Sequence, residues 1–82
     1  MILTGNITCE NEEEMQVILL ELKFVRTAVV TTDGLNIHIE YVPADTESYS
    51  ESERNAALLA DIIESAPHHG ISIIKQDALN GE

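Results

Sequence analysis

The sequence predicts a single small α+β domain in which strands and helices follow one another as β-α-β-β-α-β. Three observations predict it: two β-patterned runs joined by Asp33-Gly34, a helical pattern on either side of this pair, and a further β-pattern near each end of the chain. The 82 residues suffice for one hydrophobic core and are too few for two. We expect one domain over residues 1–76 and a flexible acidic tail over residues 77–82.

The central hairpin is the clearest local feature. Residues 35–41 alternate apolar and polar side chains, and residues 27–32 are rich in β-branched residues. The Asp-Gly pair between these runs favours a type I′ turn, which requires positive φ at both central positions. Such a turn pairs Val30 with Ile37 on the core side of the sheet, and the apolar residues of the two strands then match.

The other two strands are predicted near the ends of the chain. Residues 71–76 form a short β-pattern, and residues 2–9 form a longer one. The positions of the longer run that we expect to face the core are Leu3, Gly5, Ile7 and Cys9.

The first helix is predicted to begin at Asn11, with Glu14 three residues later completing a capping box. Helical spacing gives this helix two apolar stripes, so its apolar arc is wider than one sheet contact needs. The first stripe contains Met15, Ile18, Leu19 and Leu22. The second stripe contains Val17, Leu20 and Phe24.

The second helix is predicted to begin at Ser50, with Glu53 in the capping-box position, and to end at Pro67 and Gly70. Small residues on one side of this helix allow close packing. These small residues are Ala56 and Ala60, and the stripe expected to be buried consists of Leu59, Ile62, Ile63 and Ala66.

Right-handed crossovers make a four-stranded antiparallel sheet with both helices on one face the compact solution for this order. The arrangement resembles the ferredoxin-like fold over nearly the whole chain. The resemblance rests on the pattern of elements, and no family motif accompanies it. Because this fold hosts many unrelated functions, it implies none by itself.

Charge is the outstanding feature of the composition. The formal net charge is −11, from fifteen acidic and four basic residues, and the basic residues Lys23, Arg26, Arg54 and Lys75 are scattered. We therefore expect no nucleic-acid-binding face, repulsion from anionic membranes, and a basic surface on any charged partner. The apolar share of 44% separates the chain from disordered acidic tails.

Cysteine usage and the N-terminal region indicate a cytoplasmic protein. The single cysteine, Cys9, can form neither an intramolecular disulfide nor a cysteine-based metal site. We expect neither a signal peptide nor a membrane span, because the chain has neither a basic region followed by a long apolar run nor an apolar stretch of about 20 residues.

The residues give no reason to predict catalysis or a cofactor. His68 and His69 follow Glu64, but Pro67 and Gly70 interrupt the helical geometry that a metal pair would need. The chain has no phosphate-binding loop, calcium loop or nucleophile elbow. We therefore predict that the protein is not an enzyme and binds no metal or cofactor.

The candidate partner-binding residues fall into two sets. The acidic set lies at the two predicted helix starts and consists of Glu10, Glu12, Glu13, Glu14, Asp45, Glu47, Glu51 and Glu53. The second set lies on the outer sheet face and consists of Asn36, His38 and Glu40. The fold separates the two helix starts by roughly 20 Å, about one helix length, so the acidic set is expected to form two clusters.

Two function classes follow. The first is a non-enzymatic inhibitor of a basic or nucleic-acid-binding protein. In size, charge and absence of an active site the chain is similar to phage and mobile-element anti-defence proteins, such as anti-CRISPR or anti-restriction proteins. An acidic antitoxin or immunity partner has the same physics. The alternative class is a ligand-sensing domain that forms oligomers, for example homodimers. The second stripe of the first helix favours this class. The sequence shows neither the Gly-rich turn nor the cationic anchor that such ligand sites usually have.

Overall fold

The computed structural model describes residues 2–74. Its six elements are β1 (Ile2–Thr8), α1 (Glu12–Leu22), β2 (Val29–Asp33), β3 (Asn36–Tyr41), α2 (Tyr49–Glu64) and β4 (His69–Ile74). All strand pairs are antiparallel, and the four-stranded sheet has the order β2-β3-β1-β4. The α+β class is thus confirmed. The predicted tail over residues 77–82, and residues 75 and 76 of the predicted fourth strand, lie outside the described residues.

The strand directions determine where each helix begins. β1 is antiparallel to β3, so the chain leaves these two central strands at opposite ends of the sheet. α1 follows β1 and α2 follows β3. The two helix starts therefore lie at opposite ends of the domain, as the order of elements led us to expect.

The hydrophobic core lies between one face of the sheet and the two helices. The predicted inward positions of β1 and the predicted apolar side of α2 are buried, and the first stripe of α1 packs into the same core. The largest fully buried side chains are Leu3, Ile7, Leu22, Ile37, Ile39, Tyr41, Leu59 and Ile63. Within residues 2–74, no helix has both the length and the apolarity that crossing a membrane demands.

The hairpin register differs from the prediction by two residues. Asp33 pairs with Asn36 and Val30 with Ile39, so the turn residues are Gly34 and Leu35. Gly34 has a φ of 63°, and no other described residue has positive φ. A two-residue turn with positive φ only at its first, glycine, position is typical of type II′, whereas the predicted type I′ needs two such positions. A shift of two residues keeps every side chain on its predicted face.

α2 begins two residues earlier than predicted. Ser48 is the N-cap, its side chain accepts from the Glu51 N–H at 3.1 Å, and the Glu51 carboxylate accepts from the Ser48 N–H at 3.0 Å. The Ser-x-x-Glu spacing occurs at both Ser48 and Ser50, so this motif alone does not distinguish them. Ser52 is buried, because helical spacing places it on the same side of α2 as Ala56 and Leu59.

Candidate functional site

Three segments that are distant in sequence meet at the end of the sheet where β1 stops. The Cys9 N–H donates to the Leu35 carbonyl at 2.8 Å, and the Thr8 N–H donates to the His68 carbonyl at 2.9 Å. These bonds join the start of α1, the β2–β3 turn and the connection that follows α2. We call this part of the molecule the acidic end.

Carboxylates from all three segments lie at the acidic end. They are Glu10, Glu12, Glu13, Glu14, Asp33, Asp61 and Glu64. All except the half-buried Glu14 are exposed, and no described Lys or Arg belongs to these segments. The last three carboxylates of this set were missed by sequence reasoning, because the predicted topology was applied to the starts of the helices and not to the hairpin turn or the end of α2.

Two residues of the acidic end are committed to capping α1. The Asn11 side chain accepts from the Glu14 N–H at 2.8 Å, and the Glu14 carboxylate accepts from the Glu10 N–H at 3.1 Å. The predicted capping box is thus displaced by one residue, since Glu14 reaches Glu10 instead of Asn11. Glu12 and Glu13 make no hydrogen bond or ion pair within residues 2–74, so their carboxylates are available to a partner.

At the opposite end of the sheet, Glu47 has an internal role that sequence reasoning missed. Its carboxylate accepts from the Tyr41 hydroxyl at 2.7 Å, from the Ala44 N–H at 2.9 Å and from the Asn55 amide at 2.9 Å. These bonds, the one from the Ala44 N–H foremost, lower the pKa of Glu47. Burial, reinforced by the bond to Glu47, raises the pKa of Tyr41. Glu47 therefore ties the β3–α2 connection to the core.

The other acidic candidates at that end differ in whether they take part in capping α2. Glu51 is engaged in the α2 capping box, whereas Asp45 and Glu53 are exposed. Lys23, Arg26 and Arg54 lie in the segments of the same end. The two ends of the sheet thus differ, because one carries only acidic residues among those described and the other carries both signs of charge.

The outer sheet face carries Asn36, His38 and Glu40, and all three are exposed. Thr8 Oγ1 donates to Asn36 Oδ1 at 2.9 Å, and His38 Nδ1 lies 2.8 Å from Asn6 Oδ1. These two contacts cross from β1 to β3.

The second stripe of α1 is exposed. Val17 is 57% exposed, Leu20 61% and Phe24 78%, so the core does not use them. Val17 and Leu20 lie on α1, whereas Phe24, predicted to continue the helical stripe, lies in the turn after the helix, because α1 ends at Leu22 with Lys23 as its C-cap.

A cleft opens between the C-terminal end of α1 and the edge strand β2. Its volume is about 450 Å³, and we call it the α1–β2 cleft. Lys23 and Arg26 line it together. The sequence had shown no cationic anchor, because two basic residues in a loop carry no signal until the fold brings them beside an apolar cavity. The remaining lining residues are Leu19, Leu22, Val25, Ala28, Val30 and Thr32.

Titratable groups elsewhere make no reactive cluster in the described part of the chain. Cys9 is buried, and this burial, together with the nearby charge of Glu14, raises the pKa of its thiol, which disfavours a thiolate. His69 Nδ1 lies 2.6 Å from the Ala66 carbonyl. Among residues 2–74, no three His, Cys, Asp or Glu side chains are arranged to hold a metal ion.

No family model matches the chain, and no curated protein or solved structure is significantly similar to it. The surfaces described above are therefore the basis for a functional proposal.

Proposed function

We propose that the protein is a non-enzymatic binding domain whose acidic end docks on a basic surface of another protein. We further propose that docking inhibits a basic or nucleic-acid-binding partner, in the manner of phage or mobile-element anti-defence proteins of the anti-CRISPR or anti-restriction type. The observation that carries the proposal is the meeting of seven carboxylates, from three segments, without a described Lys or Arg among them.

The uneven distribution of charge supports a directed encounter. The segments of the opposite end carry six carboxylates, Glu21, Glu40, Asp45, Glu47, Glu51 and Glu53, against three cations. Within the described residues, the acidic end therefore has the more negative formal charge of the two. Such asymmetry orients a protein as it approaches an oppositely charged surface and raises the association rate.

The width of the acidic end supports mimicry of a phosphate backbone. The sequence had led us to expect two acidic clusters about one helix length apart, which is unfavourable for a single contact. Asp33, Asp61 and Glu64 extend the first cluster across the end of the sheet, from α1 to the hairpin and to the last turn of α2. Partners would accordingly be basic proteins, with neither nucleic acid nor membrane bound directly.

We infer that the architecture is ferredoxin-like. The element order β-α-β-β-α-β supports this, as does the crossing of each helix over one intervening strand. The inference concerns shape alone, because the fold does not determine the function.

The proposal is tested with two variants of equal net charge. One neutralises the acidic end with Glu12→Gln, Glu13→Gln, Asp61→Asn and Glu64→Gln. The matched control neutralises four exposed carboxylates elsewhere with Glu21→Gln, Glu40→Gln, Asp45→Asn and Glu53→Gln. Each tagged protein is used to capture partners from a lysate at low and high salt, and retained proteins are identified by mass spectrometry.

We expect the unmodified protein and the control variant to retain the same basic protein at low salt, and the acidic-end variant to lose it. The captured partner is then assayed for nucleic-acid binding with and without the protein. Retention of no basic protein at low salt contradicts the proposal, and so does an equal loss in both variants. Circular dichroism of both variants checks that the fold is intact.

The alternative proposal is an oligomeric ligand-sensing domain, and the exposed second stripe of α1 supports it. Burial of Val17, Leu20 and Phe24 against a second copy would remove apolar surface from water. Light scattering after size exclusion tests this, with Leu20→Ser as the disrupting variant. A monomer without a thermal shift in a metabolite panel contradicts it. An acidic antitoxin or immunity protein would use the same docking surface. It is distinguished from an anti-defence inhibitor by testing whether the captured partner is itself toxic to cells.

A further inference from the structure

We propose that the α1–β2 cleft binds a small amphiphilic anion, an organic carboxylate with an apolar chain. The chain enters the cleft and the carboxylate lies between Lys23 and Arg26. The cleft runs along β2 from Ala28 to Thr32, and its two cations lie in the loop between α1 and β2, at the end of the sheet opposite the acidic end.

The floor and walls of the cleft are apolar. Leu22 and Val25 are each only 2% exposed and form the floor. Leu19, Ala28 and Val30 are half-buried and form the walls. A volume of about 450 Å³ falls in the range of small-molecule sites, about 300–1,000 Å³. An apolar chain placed there would remove its own surface and that of the half-buried walls from water.

The cleft is open because the β2 side chains that face it are small. β2 is an edge strand, and its cleft-facing residues Val30 and Thr32 are short. Space for a ligand is thus left between a helix and a strand that both belong to the folded core.

The two cations give the cleft its preference for an anion. Lys23 and Arg26 are two of the three Lys and Arg residues that the structure describes, and neither forms an ion pair within residues 2–74. They remain unpaired although the chain carries fifteen acidic residues. A net charge of −11 repels anions from most of the surface, so an anion needs local cations to bind. The guanidinium of Arg26 can hold a carboxylate with two hydrogen bonds.

The test is a titration of the full ¹⁵N-labelled chain with octanoate, followed by amide chemical shifts in 150 mM salt. We expect saturable shifts concentrated on Leu22, Val25 and Val30. Octanol, which has the same chain without the charge, is expected to bind at least about tenfold more weakly. The double variant Lys23→Gln/Arg26→Gln is expected to weaken octanoate binding by at least about tenfold.

The matched control is Arg54→Gln, which removes a cation from α2 and leaves the cleft unchanged. Its octanoate affinity is expected to equal that of the unmodified protein. A second variant, Val30→Phe, fills the cleft while keeping both cations and is expected to abolish binding, with circular dichroism as the check on folding. The proposal is overturned by absence of saturable binding, by shifts confined to the second stripe, or by equal affinity in the Lys23→Gln/Arg26→Gln variant. None of these results depends on whether the acidic end captures a partner.

Discussion

The two halves of the domain are packed differently. On the side of β1, β4 and α2, the helix lies close to the strands, because Gly5 presents no side chain where Ile63 crosses it. A Cβ atom at Gly5 would overlap the end of the Ile63 side chain. On the side of α1 and β2, a cleft of about 450 Å³ remains between the helix and the edge strand.

The difference separates the part of the molecule that holds the fold from the parts available for binding. Buried residues of α2 and β1 leave little free volume, so changes there act on stability. α1 contributes one stripe to the core and leaves its second stripe and the cleft exposed. The second stripe and the cleft therefore both belong to the half that contains α1 and β2.

The largest expected contrast comes from one substitution made in both halves. Leu59→Ala removes a fully buried side chain of α2 and is expected to lower the free energy of unfolding by about 2–5 kcal/mol. Leu20→Ala makes the same change on a side chain that is 61% exposed, and about 0.5 kcal/mol or less is expected. Urea denaturation followed by circular dichroism measures both. Similar losses in the two variants would mean that α1 is packed as tightly as α2.

Close approach at Gly5 is tested next. Gly5→Ala is expected to lower the free energy of unfolding by about 1–2 kcal/mol, since overlap with the buried Ile63 outweighs the smaller backbone entropy of alanine. Gly70→Ala is the control, because nothing lies within 4 Å of the Cβ it would add. Thermal unfolding of the two variants gives the comparison, and a Gly5→Ala protein as stable as the unmodified one would refute the tight contact.

The bond between Tyr41 and Glu47 fixes the chain where α2 begins. Tyr41→Phe removes this hydrogen bond from a fully buried side chain, and a loss of about 1–2 kcal/mol is expected. Glu47→Gln and the double variant complete a double-mutant cycle in urea, which isolates the pairwise contribution. A coupling energy near zero would show that the bond adds nothing to stability.

The same pair gives stability a defined dependence on pH. The pKa of Glu47 is lower in the folded state, so its contribution is present above the ordinary glutamate pKa of about 4.3 and is lost as pH falls through the folded value. The pKa of Tyr41 is higher in the folded state, so its contribution is present below about 10 and is lost as pH rises through the folded value. Urea midpoints measured over a pH series test both statements. The fall of the midpoint at acid pH is expected to be smaller in Glu47→Gln than in the unmodified protein. The fall at alkaline pH is expected to be smaller in Tyr41→Phe.

The sequence predicted the strands and helices, but it did not predict how the two hairpin strands pair or where the second helix begins. Alternation and helical spacing predicted six elements, the inward side of β1 and the buried side of α2, because these depend on local periodicity. The hairpin register was wrong by two residues, since Gly34 alone takes positive φ. Ser48 and Ser50 offered the same capping signal, and the structure has Ser48 as the N-cap.

The candidate sites depended on topology to a greater degree. Asp33 was understood as a turn residue and Glu64 as part of a helix end, and only the strand order β2-β3-β1-β4 brings them beside Glu12. Lys23 and Arg26 were counted as scattered charges until the α1–β2 cleft joined them. Contacts between residues that are distant in the chain leave no periodic pattern in the sequence, and these contacts were therefore missed.

The smallest expected effect comes from Val30→Ile, which tests directly whether the side of α1 and β2 contains open space. Val30→Ile adds one methylene to a half-buried wall of the α1–β2 cleft, in an edge strand where both residues are β-branched. Where Gly5→Ala meets a filled space, this addition meets an open one. We expect the free energy of unfolding to rise by about 0.5 kcal/mol or less, from partial burial of the added carbon. Urea denaturation measures the change. A loss above about 1 kcal/mol is the cost of overpacking, and it would mean that α1 closes over β2 in solution and that the cleft is not open to a ligand.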